Sequence, residues 1–210
     1  MRSCLAYSDC MASKRSAKSP SSNRSRKQKL QVLSSKLVYD GKVFKVTSDQ
    51  VKEPSGITAQ RDIVRHSGSV VVLAIDERGG EPQVLVERQY RYAAQDYLWE
   101  LPAGRIDPGE TPLAGAKREL IEETGYRARQ WKRAVMFYSS PGFLDETMAI
   151  YLARQLTIGE GEPEDDESIE CKMIPLSQAI EMIFGGTIRD GKTIAGVLWL
   201  AEALRRGKLK

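Results

Sequence analysis

From Leu30 onward the chain alternates short apolar and polar runs whose period changes along its length. Leu30–Tyr39 and Val43–Val51 are rich in β-branched and aromatic residues and flank Asp40-Gly41, a strong hairpin signal. Arg61–Arg65 reads as a further strand after the Pro54-Ser55-Gly56 turn. Val70–Ile75 is an unbroken apolar run, which predicts a strand covered on both faces. Gly79-Gly80 turns the chain into a strand at Gln83–Tyr90, and others are expected at Tyr97–Glu100, Trp131–Tyr138, Thr147–Leu156 and Glu170–Ile174. Helical spacing fits Pro112–Thr124, Ser177–Phe184 and Lys192–Arg206. In the last, Ile194, Val197, Leu198 and Ala201 share one face, and Gly207 is placed to stop the helix. No internal repeat is visible. The pattern predicts a mixed α/β sandwich with more strands than helices.

Composition narrows the class. The chain has 210 residues, 41% of them hydrophobic, which is enough for one core of ordinary size. No stretch approaches the ~18–20 apolar residues of a membrane span, so no membrane partner is expected. The net charge of +4 is unevenly distributed. Residues 1–30 hold eight Lys and Arg against Asp9 alone, so the remainder is net acidic. Residues 1–28, rich in Ser, Lys and Arg, are expected to be a disordered basic tail. Such a tail is a solvated extension, with weak nucleic-acid contacts as the alternative. Three cysteines without metal-ligand spacing point to a reducing compartment, hence the cytoplasm. A single histidine, His66, excludes multi-histidine zinc sites.

The chemistry concentrates in Leu101–Tyr126, LPAGRIDPGETPLAGAKRELIEETGY. Thr111 is a natural N-cap, Pro112 suits the first helical position and Gly125 supplies a left-handed stop. Glu119, Glu122 and Glu123 fall within one arc of ~100°, while Leu113, Ala116 and Leu120 occupy the adjoining face. With Glu110, four carboxylates repel one another there, which is tolerable on a solvated face or around a hard cation with oxygen ligands. Arg118 can brace Glu110 or Glu122.

Gly104, Glu110, Arg118-Glu119-Leu120, Glu122-Glu123 and Gly125 together resemble the Nudix box, with every fixed position met. Tyr126 stands where that box usually ends in an aliphatic residue. The resemblance implies an α/β/α sandwich with a mixed sheet and an N-terminal antiparallel β-domain. It divides the chain into a tail at 1–28, a β-domain at 29–66 and a hydrolase domain at 67–210. It further implies Mg²⁺ (or Mn²⁺) held by Glu119, Glu122, Glu123 and the backbone carbonyl of Ala103. Gly104 is expected to let the loop bend toward the cation, and Arg118 to orient the carboxylates. A pyrophosphate repels hydroxide, so cations must neutralise it and position a water.

The flanks resemble the ADP-ribose pyrophosphatases within this family. Ser139-Ser140-Pro141-Gly142-Phe143 and Glu87-Arg88-Gln89-Tyr90-Arg91 stand where those enzymes carry substrate-facing segments. The resemblance implies hydrolysis of ADP-ribose, or a related nucleoside diphosphate sugar, to AMP and ribose 5-phosphate. It implies substrate contacts from Phe44, Arg61, Arg91, Arg105, Ser140, Pro141 and Glu146, and a homodimer formed through residues 29–66. It also implies a catalytic base from the acidic loop Glu160–Glu170, with Glu167 (also a candidate metal ligand) first and Asp165 second. The competing readings are a GDP-mannose or oxidised-nucleotide hydrolase, or a non-catalytic nucleotide- or RNA-binding module.

Overall fold

The computed structural model describes residues 29–159 and 169–209. The basic tail and the Glu167 and Asp165 positions lie outside the described residues. Ten strands and three helices are found within them.

Strands β1 (Gln31–Asp40), β2 (Lys45–Lys52) and β3 (Thr58–Arg65) form a three-stranded antiparallel sheet. The Asp40-Gly41 turn closes its first hairpin, with the Gly41 amide donating to the Phe44 carbonyl. All ten residues of β1 are exposed. The remaining strands are β4 (Ser69–Asp76), β5 (Gln83–Arg91), β6 (Asp96–Glu100), β7 (Ala103–Arg105), β8 (Tyr126–Tyr138), β9 (Thr147–Ile158) and β10 (Glu170–Pro175). They make a mixed sheet in the order β10-β5-β4-β9-β8, with β6 added to β5 and β7 to β4. Only β4 and β9 run parallel among the named pairs.

The apolar run in β4 explains the layering. Its side chains alternate between faces. Val70, Val72 and Ala74 pack with Ala116 and Leu120 of α1 (Pro112–Thr124). Val71, Leu73 and Ile75 pack with Ala179 of α2 (Leu176–Phe184) and with Val197 and Leu200 of α3 (Gly191–Arg205). The result is the expected α/β/α sandwich with a mixed sheet and a separate N-terminal antiparallel sheet.

Three local expectations need revision. Strand β8 begins at Tyr126, directly after the helix, because its first half is an edge strand whose Arg127 and Arg129 are exposed and carry no apolar signal. Strand β7 is only three residues long and was hidden in a Gly-containing loop. The buried face of α3 is Thr193, Gly196, Val197 and Leu200, with Leu198 turned outward at 37% exposure. Gly196 sets that rotation, since a Cβ there would lie 2.7 Å from the Leu101 Cδ1.

Candidate active site

Helix α1 is defined at both ends by local chemistry. The Thr111 hydroxyl accepts from the Ala114 amide at 3.3 Å, and the Gly125 amide donates to the Ile121 carbonyl at 2.8 Å with φ at +70°. Ala116 and Leu120 are fully buried against β4, which fixes the helix's rotation. That rotation brings Glu119, Glu122 and Glu123 to one cleft of about 440 Å³, together with Ala103, Gly104, Arg105 and Arg91.

Arg118 is the internal counter-ion of this cluster. Its Nη1 donates to Glu119 Oε1 and to Glu122 Oε2, each at 2.8 Å. Nε donates to Glu110 Oε1 at 3.2 Å, and Nη2 to Glu110 Oε2 at 3.1 Å and to the Arg105 carbonyl at 3.0 Å. Arg118 therefore braces both expected partners and Glu119 besides. These bonds raise the guanidinium pKa far above its usual value and hold Glu110 below the usual carboxylate range. Glu123 Oε2 accepts from the Ala103 amide at 3.0 Å, tying the helix to β7.

Gly104 has a packing role beside the one expected of it. A Cβ at this position would lie 1.9 Å from Glu119 Oε1, so the glycine makes room for a carboxylate. Glu119 itself is only 8% exposed and lines the cleft.

Beside the cleft lies a recess of about 400 Å³ containing Phe44, Val43, His66, Arg105 and Ile106. Lys42, Val43, His66 and Arg105 border both spaces. Arg105 Nη1 donates to the Lys42 carbonyl at 3.1 Å. The other expected substrate residues are not brought into the cleft within this chain. Arg61 donates to Glu53 at 2.6 Å on the exposed face of the N-terminal sheet. Pro141 borders a separate hollow with Ile63 and Tyr138, and Ser140 lies in the same loop. Glu146 is held behind the site, accepting from Ser69 at 2.6 Å and Ser139 at 2.9 Å, with His66 Nδ1 at 3.6 Å.

Two features escaped sequence reasoning. His66 borders the cleft, its Nδ1 accepting from the Gly68 amide, and its only sequence signal is being the sole histidine. Glu100, buried at 1% exposure under Arg91, is signalled only by an acid between apolar Trp99 and Leu101.

The donor set suits a hard divalent cation, since Glu119, Glu122 and Glu123 supply oxygen ligands beside the Ala103 backbone. Among the described residues, no three Asp, Glu, His or Cys side chains stand together as a finished cation cage. Arg118 lies between Glu119 and Glu122 instead.

Residues 65–197 match the family model described as NUDIX domain. The ADP-ribose pyrophosphatase of Bacillus subtilis (strain 168) is 35% identical over 175 residues, covering 81% of this chain and 93% of that protein. The ADP-ribose pyrophosphatase of Mycobacterium tuberculosis (strain ATCC 25618 / H37Rv) is 37% identical over 171 residues, covering 80% of this chain and 81% of that protein. A solved structure titled as an ADP compounds hydrolase superposes with a TM-score of 0.74, covering 86% of this chain and 96% of the other at 20% identity, a likeness of fold.

Proposed function

This chain belongs to the NUDIX family, and we propose that it hydrolyses the pyrophosphate bond of ADP-ribose, giving AMP and ribose 5-phosphate, with Mg²⁺ or Mn²⁺. The observation that carries this reading is the pairing of opposite charges in one cleft. Three carboxylates of α1 face the Ala103 backbone while Arg91 and Arg105 line the same space. Carboxylates suit a cation and arginines suit a diphosphate. The names of the two pyrophosphatase relatives support ADP-ribose as the substrate.

In the reaction a water oxygen forms a bond to one phosphorus, the bridging P–O bond breaks, and the departing phosphate keeps the electron pair. Glu119, Glu122, Glu123 and the Ala103 carbonyl would hold the metal, which would supply charge neutralisation and make a water easier to deprotonate. Arg91 and Arg105 grip the diphosphate, and Arg118 orients Glu119 and Glu122. Glu167 is assigned as proton acceptor on sequence register alone, with Asp165 second. The exposed apolar side chains Val32, Leu37, Val38 and Tyr39 on β1 support a homodimer through residues 29–66. The free thiol of Cys171 supports a reducing, cytoplasmic setting.

A panel of ADP-ribose, GDP-mannose, ADP-glucose and 8-oxo-dGTP, assayed with Mg²⁺ and with EDTA, tests the reading. ADP-ribose is expected to be turned over fastest, EDTA to abolish turnover, and Glu123→Gln to lower kcat by a factor of ~10² or more. Faster turnover of GDP-mannose would transfer the assignment to that sugar. A panel in which nothing is hydrolysed would favour a binding module.

A further inference from the structure

Behind Arg91 lies a set of buried charges that the hydrolytic reaction does not itself require. Glu100 closes β6 at 1% exposure, and Lys192, in the first turn of α3, is 9% exposed. Arg91 clasps Glu100 through two parallel bonds, Nε to Oε1 and Nη2 to Oε2, each at 2.8 Å. Lys192 Nζ donates to the same Oε2 and stands 3.2 Å from Asp190 Oδ2. Asp190 caps α3, accepting from the Thr193 amide at 2.9 Å and from its hydroxyl at 2.6 Å. The Thr193 hydroxyl oxygen accepts from the Leu101 amide at 2.8 Å, two residues before Ala103. One helical turn thus supports the cleft wall at two points, one of them the Arg91 guanidinium.

Burial of an ion pair gains little stability over apolar packing of the same volume. A charge network kept at such a place calls for another use. An arginine loses substantial rotamer freedom when it grips an anion, and that loss weakens binding unless the side chain is held beforehand. Glu100 occupies the Nε–Nη2 edge of Arg91, a residue that lines the cleft. A carboxylate held by one partner can turn about its last torsion and carry the guanidinium with it. Lys192, donating to the same Oε2 that Arg91 Nη2 uses, removes that freedom.

We propose that Lys192 is a positioning residue for the diphosphate of the substrate. Through Glu100 it fixes the Arg91 guanidinium at the cleft. This rests on the reading of the cleft as a diphosphate-hydrolysing site and adds a residue that contacts neither substrate nor metal.

The test is a double-mutant cycle on the full-length chain, with folding checked by circular dichroism and thermal melting. Lys192→Met is expected to raise KM for ADP-ribose by ~10-fold, the scale of one charge-assisted hydrogen bond, with kcat within about threefold of wild type. Arg91→Ala is expected to raise KM at least as far. In the Arg91→Ala background, Lys192→Met is expected to change KM by less than about twofold, because its effect passes through the missing guanidinium. A merely structural lysine would act equally in both backgrounds, and that result, or an unchanged KM in the single variant, overturns the proposal. If Lys192→Met fails to fold, Glu100→Gln combined with Lys192→Met removes the carboxylate and its second cation together, and the same comparison is made. If wild-type protein leaves ADP-ribose intact, the substrate reading falls. The linkage is then read from calorimetric binding of pyrophosphate, where Lys192→Met must weaken binding ~10-fold with Arg91 present and less than about twofold without it.

Discussion

Arg118 directs five hydrogen bonds at three carboxylates and one carbonyl. Removing it leaves acids of α1 facing each other, with Glu119 buried. Arg118→Met is therefore expected to lower unfolding free energy by about 2 kcal/mol in urea titration, below the value for a fully buried pair because Arg118 is partly exposed. An unchanged midpoint would mean the acids find other partners. Gly104 makes the complementary case, since any side chain there displaces the Glu119 carboxylate. Gly104→Ala is expected to lower kcat/KM by about a hundredfold, the scale of a misplacement near 1 Å. Glu100 carries the pH dependence. Burial opposes its ionisation, but Arg91 and Lys192 outweigh burial and hold its carboxyl below the usual range. A carboxyl depressed in the folded state contributes fully above its unfolded value of about 4.3 and loses that contribution as pH falls further. The stability difference between wild type and Glu100→Gln is thus expected to be constant from pH 7 to about 5 and to shrink toward pH 3. A difference that grows on acidification would contradict the assignment.

At the scale of elements, the ends matter more than the interiors. Helix α1 keeps its carboxylates on the cleft side because Thr111 and Gly125 set where it starts and stops, and Ala116 and Leu120 set its rotation. Helix α3 is started by Asp190, whose carboxylate serves the cap and also stands beside Lys192. Asp190→Ala is expected to lower stability by about 1–2 kcal/mol, the range for a lost N-cap. Because the same carboxylate borders the Lys192–Glu100 network, KM is expected to rise along with it. A stability loss with no kinetic change would separate the cap from the site. Pro112–Thr124 was legible to the residue because cap, first-turn proline and left-handed glycine are local signals. The rotation of α3 was not, because it depends on Gly196 meeting Leu101, a residue far away along the chain.

At the scale of the molecule, the N-terminal sheet is joined to the catalytic sandwich through β3. The Val64 amide donates to the Phe143 carbonyl at 2.8 Å, and the Asp145 amide returns a bond to the Val64 carbonyl at 3.1 Å. Arg65 reaches Asp49 at 2.5 Å on one side and Asp145 at 3.2 Å on the other. The segment expected to mark the substrate is thereby clamped to the sheet expected to dimerise. Deletion of residues 1–28 is expected to leave both the dimer and the activity intact, whereas deletion through Gly56 abolishes both. Sedimentation velocity with a parallel activity assay checks this, and a fully active monomer would refute the shared interface.

The sequence by itself determined the succession of strands and helices, the carboxylate helix and the family. These rest on periodicity and on motifs within 25 residues, where neighbours along the chain are neighbours in space. Tertiary structure decided what each polar residue faces. Lys192 meets Glu100 across 92 residues of chain, and Gly104 meets Glu119 only because β7 is paired to β4 beneath α1. Within its own chain Arg61 meets Glu53, just past the end of β2. Polar side chains have no periodic signal tying them to a partner, so their pairing emerges only when the sheet and helices have been packed together.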